Sequence, residues 1–259
     1  MKAKKSFGQH FLHNKNLARS IVDLAKAHAR DLKILEVGPG RAALTQFMIE
    51  DNTNFMAVEA DWDMITYLSE TYPDFTDQFI RKDFLKLNFE EVNDSNPFLV
   101  LGNFPYNISS QIIFKIIDNH LLVPTIIGMF QKEVADRIVA GHGSKTYGVI
   151  SILIQYYYDC KIVFKVAPGS FSPPPKVQSA VVLFTHRESL PECDPSLFKS
   201  VIKISFGNRR KMMRNTLKSF IKDTPLEGDE LFEKRPEQLS LEQFVELTNL
   251  IEKHQSTKK

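Results

Sequence analysis

A chain of 259 residues, 43% hydrophobic and 25% charged, can bury the core of one large α/β domain and a small second one, which excludes a disordered chain. Cys160 and Cys193, with no CxxC pair and no neighbouring histidine, exclude a disulfide framework and a cysteine-based metal site and point to a reducing cytoplasm. The net charge of +2 says little as a total, and the basic start MKAKKSFGQHFLHNKN has no apolar core of a signal peptide. No run reaches the ~20 apolar residues of a membrane span, so a soluble, unprocessed protein without a membrane partner is expected.

In chain order, Leu17, Ile21, Leu24 and Ala25 recur at helical spacing and predict a helix over 16–29 behind an asparagine cap. The run KILEV (Lys33–Val37) reads as a strand ending in Gly38-Pro39-Gly40, and residues 43–50 resume helical spacing. A second strand over 55–58 ends in Glu59, a helix covers 62–72, and a third strand over 78–81 is followed by Asp83. A fourth strand over 98–101 leads directly into GNFPYNISS at 102–110. Alternation continues through 108–117, 126–130, 133–139 and 149–157, which predicts an α/β fold with a parallel sheet covered by helices on both faces. Two late strands, 162–166 and 180–185, flank the proline-rich loop 168–176. Strand signals stop after His186, so the expected division is an α/β catalytic domain over 1–188 and a small all-α domain over 189–259.

GNFPYNISS matches one demanding reaction. An adenine exocyclic amine is a poor nucleophile because its lone pair is delocalised into the ring. The Asn103 side-chain oxygen and the Phe104 backbone carbonyl can each accept one amine hydrogen and localise that pair toward an incoming methyl group. Pro105 stiffens the turn, and Tyr106 offers a flat face for an extruded base. The same pattern is also an ordinary strand exit.

The turn EVGPGRAAL puts backbone amides at the C-terminal edge of the sheet, where nucleotide-like ligands sit. It departs from the dinucleotide pattern, with Pro39 between the glycines and Ala43 in the third glycine's place. Glu59, 19 residues after Gly40, can accept from both ribose hydroxyls, and Asp83 from an adenine amine. Glu59, Asp83 and Asn103 close successive parallel strands and so converge on one crevice. Ribose and adenine contacts beside a turn unlike a pyrophosphate cradle favour S-adenosylmethionine over NAD.

The collinear blocks KSFGQHFL, ILEVGPGRAALT, AVEAD, KDF, GNFPYNIS, QKEVADRIVA, YGVISILIQYY, FSPPPKVQSAV, FGNRRKMMRNTL and RPEQLSLEQF run from Lys5 to near Glu252. Together they resemble the small-subunit ribosomal RNA adenine dimethyltransferase (dimethyladenosine transferase) family. The resemblance implies a Rossmann-like methyltransferase domain using S-adenosylmethionine and no metal. It also implies that His10, Leu12, Gly38, Glu59, Asp83 and Asn103 contact the donor. The implied substrate is a pair of adjacent adenosines in the hairpin near the 3′ end of small-subunit rRNA, modified by a cytoplasmic monomer with a role in ribosome assembly. His10 stands where many members have Asn, and Phe104 where Leu is usual.

In FSPPPKVQSAV, Phe171 is expected to cover the second face of an extruded adenine opposite Tyr106, unless it is a plug beneath the proline-rich connection; Lys176 is available to a phosphate. Residues 203–218 hold six basic side chains (Lys203, Arg209, Arg210, Lys211, Arg214, Lys218) and no acid, whereas 226–253 hold eight acids against three basic residues. Arg210, Arg214 and Lys218 at i, i+4, i+8 predict one basic helical stripe that tracks RNA phosphates, with Lys2, Lys4 and Lys5 extending the track. Three alternatives remain open: a large-subunit adenine methyltransferase of the macrolide-resistance type, a DNA adenine methyltransferase, and a non-catalytic assembly factor.

Overall fold

The computed structural model describes residues 9–222 and 224–256, and the chain forms two compact units, 9–135 with 159–186 and 136–158 with 187–256.

In the first unit, β1 (Phe11–Leu12) leads into α1 (Lys15–Ala29), whose Asn14 side chain accepts from the Leu17 amide at 3.1 Å. Then come β2 (Lys33–Val37), α2 (Thr45–Glu50), β3 (Phe55–Glu59), α3 (Trp62–Thr71), β4 (Phe79–Arg81), β5 (Phe98–Asn103), α4 (Ser109–Ile117) and β6 (Thr125–Gln131). After α5 (Lys132–Ile138) and α6 (Val149–Tyr157) follow β7 (Tyr158–Val166), β8 (Phe171–Ser172) and β9 (Ser179–His186). Seven strands form one sheet in the order β4-β3-β2-β5-β6-β9-β7, and β1 pairs with β8 in a separate two-stranded ribbon.

The strands β4, β3, β2, β5 and β6 pair in parallel, as the alternation predicts. β9 is antiparallel to β6. Residues 167–178 carry the chain from β7 to β9 without the crossover helix that a parallel return requires. Runs such as FLVLG in β5 are apolar throughout because both faces are buried. On one face Leu99, Leu101, Ile127 and Met129 pack with Ile21, Val22 and Ala25 of α1 and Met48 of α2. Their neighbours Val100 and Ile126 point the other way by the strand's period of two and are equally buried. The helix of β2–α2 does not start until Thr45, two residues later than the spacing predicts. The intervening turn holds Gly38 at φ 69° and Gly40 at φ 52°, a left-handed backbone that glycine adopts at little cost.

The second unit is helical: α6, α7 (Pro195–Gly207), the short α8 (Met213–Thr216), α9 (Lys218–Ile221) and α10 (Glu230–Glu233), and the long α11 (Leu241–Ser256). Segment 136–158, which the alternation assigns to the sheet domain, belongs here. α6 is apolar nearly all round, so it must be buried among other helices rather than lie on one sheet face. Tyr156 packs on Phe198 of α7 with ring centroids 4.7 Å apart, and Gln155 donates to the carbonyls of Ile138 and Ala140 at 2.7 and 3.0 Å. The helical unit is therefore assembled from two stretches of chain, and its second stretch begins at Arg187.

Candidate active site

A cavity of about 260 Å³ opens at the C-terminal ends of the parallel strands in the first unit. His10, Leu12, Gly38, Glu59, Asp83, Asn103 and Tyr106 all line it, so residues as far apart as 10 and 106 meet in one crevice. Phe171 does not line it.

The glycine turn is held by the strand ends around it. The Gly38 amide donates to the Val58 carbonyl at 2.9 Å, and the Gly40 amide to Glu59 Oε2 at 3.2 Å. Glu59 Oε1 accepts from the Asp61 amide at 2.9 Å. Burial pushes the Glu59 pKa up, and the amides of Asp61, Gly40 and Ala60 oppose that shift. A carboxylate offers about four acceptor positions, so Glu59 shapes the turn and retains capacity for a ligand hydroxyl. A side chain at Gly40 would meet the Phe11 ring at 3.1 Å, which keeps this wall of the cavity close and smooth.

Asp83 caps the short turn Phe84–Lys86: its Oδ1 accepts from the Leu85 amide at 2.9 Å. One oxygen serves the turn and the other remains as an acceptor. Glu36, inside β2, also lines the cavity and was not singled out by sequence reasoning. It is 2% exposed, accepts from the Thr45 hydroxyl at 2.6 Å, and burial pushes its pKa up to about 8, with the charge of Glu59 adding to the rise. The signal was an acid inside the otherwise apolar run ILEV, a position where a charge is costly unless it is used.

At the end of β5, Asn103 Nδ2 donates to the His10 backbone carbonyl at 2.9 Å, which fixes the amide and leaves Oδ1 as its acceptor. The Phe104 amide donates to Met129 at 3.2 Å, while the Phe104 carbonyl accepts nothing among the described residues. Its ring is buried, wedged where a Cβ on Gly102 would lie 2.8 Å from it and a Cβ on Gly128 closer still. Tyr106 is anchored through its hydroxyl to Ser179 Oγ at 2.6 Å, and burial raises its pKa, so the phenol stays protonated. Its ring stacks on His10, centroids 5.4 Å apart at 25°.

Of the two readings of Phe171, the structure favours the plug. It is 2% exposed and belongs to the apolar cluster beneath α1, with Leu12, Val166 and Val181. The pairing of β8 with β1 sets Phe171 opposite Leu12 and turns it inward, so it is the plug and presents no face to a base in this conformation. Lys176 is exposed.

The basic run is also rearranged. Residues 208–212 form turns and α8 and α9 are separate four-residue helices, so Arg210, Arg214 and Lys218 do not form one helical stripe. Met212 is extended and Leu217 breaks the helix between them. Arg209 donates to the carbonyls of Lys145 and Ser144 at 2.9 and 3.1 Å, which ties the second unit together, and Arg214 pairs with Glu233. Lys203, Arg210, Lys211 and Lys218 are exposed. Lys2, Lys4 and Lys5 lie outside the described residues.

A family model described as ribosomal RNA adenine dimethylase matches residues 1–253. The chain belongs to that family. The ribosomal RNA small subunit methyltransferase A of Bacteroides fragilis is 50% identical over 254 residues, covering 97% of this chain and 93% of that protein. Its counterpart from Flavobacterium johnsoniae is 45% identical over 254 residues and is covered to 97%, as is this chain. Among solved structures, a dimethyladenosine transferase from Plasmodium falciparum superposes with a TM-score of 0.78 at 24% identity, covering 94% of this chain and 98% of that one. The 23S rRNA methyltransferase ErmE gives 0.69 at 21% identity, covering 92% and 99%. These two establish a shared Rossmann-like methyltransferase fold.

Membership makes the chain an S-adenosylmethionine-dependent adenine dimethylating enzyme. Its own residues fit that donor: a close glycine wall, a buried carboxylate beside it at Glu59, and at Asp83 a second carboxylate with an oxygen that no described residue engages. Among the described residues, no group of three or more His, Cys, Asp or Glu is placed to hold a metal ion, and no helix is long and apolar enough to cross a membrane.

Proposed function

We propose that this enzyme methylates the exocyclic amines of two adjacent adenosines in the hairpin near the 3′ end of small-subunit rRNA, in the cytoplasm and during subunit assembly. The observation that carries the chemistry is the pair of acceptors at the cavity that no described residue engages, Asn103 Oδ1 and the Phe104 carbonyl. The 50% identity to a relative named for the small subunit supports the choice of RNA.

S-adenosylmethionine supplies a methyl group on a sulfonium. Glu59 would hold the ribose hydroxyls, Asp83 the adenine amine, and Gly38 with the His10–Leu12 segment the remaining wall. Asn103 Oδ1 and the Phe104 carbonyl accept the two hydrogens of the target amine, localise its lone pair, and stabilise the positive charge that develops on nitrogen. The methylated amine then loses a proton to solvent, and orientation supplies most of the rate. A second round starts from an amine with one N–H left, so only one of the two acceptors is engaged and the pocket must admit the first methyl where the other hydrogen lay.

The second unit is assigned RNA contacts through Arg210, Lys211 and Lys218. Arg214 can join them, because its pair with Glu233 is 45% exposed on both sides and such pairs contribute about 1 kcal/mol or less. Arg209 is assigned to the unit's structure. Labelled donor incubated with naked rRNA, small subunits and large subunits, followed by mapping of modified bases, tests this reading. Label confined to adenosines of small-subunit RNA is expected, and label in large-subunit RNA alone would overturn the assignment.

A further inference from the structure

Lys115 is a half-buried charge that the mechanism above leaves unused. It stands in the last turn of α4 beside the buried Ile116, a place where a cation suits the helix dipole and would ordinarily point to water. Instead its Nζ donates to the carbonyls of Leu85 at 3.1 Å and Leu87 at 2.7 Å, and it lies over the Phe89 ring, 4.9 Å from the centre. Burial pushes the Lys115 pKa down, and the charge of Asp83 opposes that shift.

We propose that Lys115 is a positioning residue for the methyl donor: it holds the turn at 83–87 so that the Asp83 carboxylate meets the amine of the donor's adenine. This rests on the donor site assigned above and is independent of which RNA is methylated.

The contacts run in one line from the ammonium to the cavity. Asp83 Oδ1 accepts from the Leu85 amide at 2.9 Å, and the carbonyl of the same Leu85 accepts from Lys115. The turn closes through the Lys86 amide on the Asp83 carbonyl at 2.9 Å and the Leu87 amide on the Phe84 carbonyl at 3.1 Å, and Lys115 takes the Leu87 carbonyl at its far end. Asp83, Phe84 and Leu85 all line the cavity. The Phe84 ring packs on Phe89 with centroids 5.4 Å apart, so the ring beneath Lys115 also backs this wall. A single short turn has little of its own with which to aim a carboxylate, and here the support comes from α4. That helix begins at Ser109, just past Tyr106, and the Ser109 hydroxyl donates to the Tyr106 carbonyl at 3.2 Å. One helix therefore follows the turn for the target amine and braces the wall for the donor's base, which keeps the two sites in register.

Calorimetry on wild type, Lys115→Met, Asp83→Ala and the double variant would compare S-adenosylhomocysteine with S-inosylhomocysteine, which has a carbonyl in place of the adenine amine. A hydrogen bond to a charged group is worth about 10- to 100-fold, so wild type should prefer the adenosyl ligand by that order. Lys115→Met keeps the length of the side chain and loses its charge and donors; it is expected to cut this preference by about fivefold or more, Asp83→Ala to abolish it, and the double variant to match Asp83→Ala. The penalty for removing the ribose 2′-hydroxyl, which reads Glu59, should stay within about twofold of wild type in Lys115→Met, because the two contacts are independent. A wild-type base preference in Lys115→Met overturns the proposal, as does an equal loss of base and ribose preference, the mark of a loosened fold. If Lys115→Met does not fold, Lys115→Gln, neutral and too short to span both carbonyls, takes its place with the same expected ratios. An unchanged preference in Asp83→Ala removes the donor-site assignment itself; a preference lost in Asp83→Ala and intact in Lys115→Met removes Lys115 alone.

Discussion

Gly128→Ala should disable catalysis from a position outside the cavity lining. Gly128 sits in β6, and a Cβ there would overlap the Phe104 ring and lie 2.7 Å from the Phe130 ring. Ordinary contact needs 3.4–4 Å, so ring atoms must retreat by about 1 Å. Both rings are buried and stack edge-on at 5.1 Å, so a retreat of one presses on the other. Overpacking of this kind costs about 1–3 kcal/mol of stability, and a misplacement of about 1 Å at reacting groups costs about 100-fold in rate. The expectation is a lowered melting temperature, near-normal donor affinity, and a kcat reduced by about two orders of magnitude, because the displaced residue carries one of the two amine acceptors on its backbone. Phe104→Leu removes the clashing ring atoms, so the double variant should recover part of the lost kcat. The assay is single-turnover methyl transfer with saturating donor. Gly128→Ala with wild-type kcat, or a double variant whose losses simply add, would refute the idea that this wedge sets the acceptor.

Glu59→Ala and Asp83→Ala should each weaken donor binding by about 1–3 kcal/mol, the scale of a hydrogen bond to a charged group, and calorimetry giving wild-type affinity in both would remove them from the site. Glu36 binds its proton more tightly folded than unfolded, its pKa rising from 4.5 to about 8, so its contribution to stability is complete below pH 4.5 and is lost as pH rises toward 8. Glu36→Gln should flatten the fall of melting temperature between pH 5 and 8; Glu59, shifted in the same direction, keeps part of that slope, and an unchanged profile would contradict a buried neutral acid at Glu36. Reversing Arg210, Lys211 and Lys218 should cut RNA affinity and lower the salt slope by up to ~1 unit per lost phosphate contact while sparing donor binding, whereas an unchanged slope would leave these side chains as solvated charge.

What could be read in the sequence was local, and what could not was set by distant partners. Glu59, Asp83 and Asn103 were legible because each closes a short apolar strand, and parallel strands deliver such residues to one edge whatever the details of packing. The α/β alternation was legible for the same reason. The direction of Phe171 was not legible because a phenylalanine before prolines looks the same whether it faces in or out; it comes from pairing with Leu12, 159 residues earlier. The basic stripe failed at residues 208–212, where spacing of like charges suggested a helix that the turn at Asn208 and extended Met212 interrupt. Residues 136–158 read as part of the sheet domain because α6 follows the same alternation, although its all-round apolar surface marks a helix buried among helices. Glu36 was passed over as one acid in a strand, since burial and not residue type makes it unusual.

The most direct test is methyl transfer by Asn103→Ala. If Asn103 Oδ1 localises the amine lone pair, this variant should bind small-subunit RNA and S-adenosylhomocysteine at close to wild-type affinity and transfer methyl at least about 100-fold more slowly, the scale of losing one preorganised partner of a developing charge. Turnover equal to wild type on the same RNA would contradict the mechanism built on Asn103 and the Phe104 carbonyl.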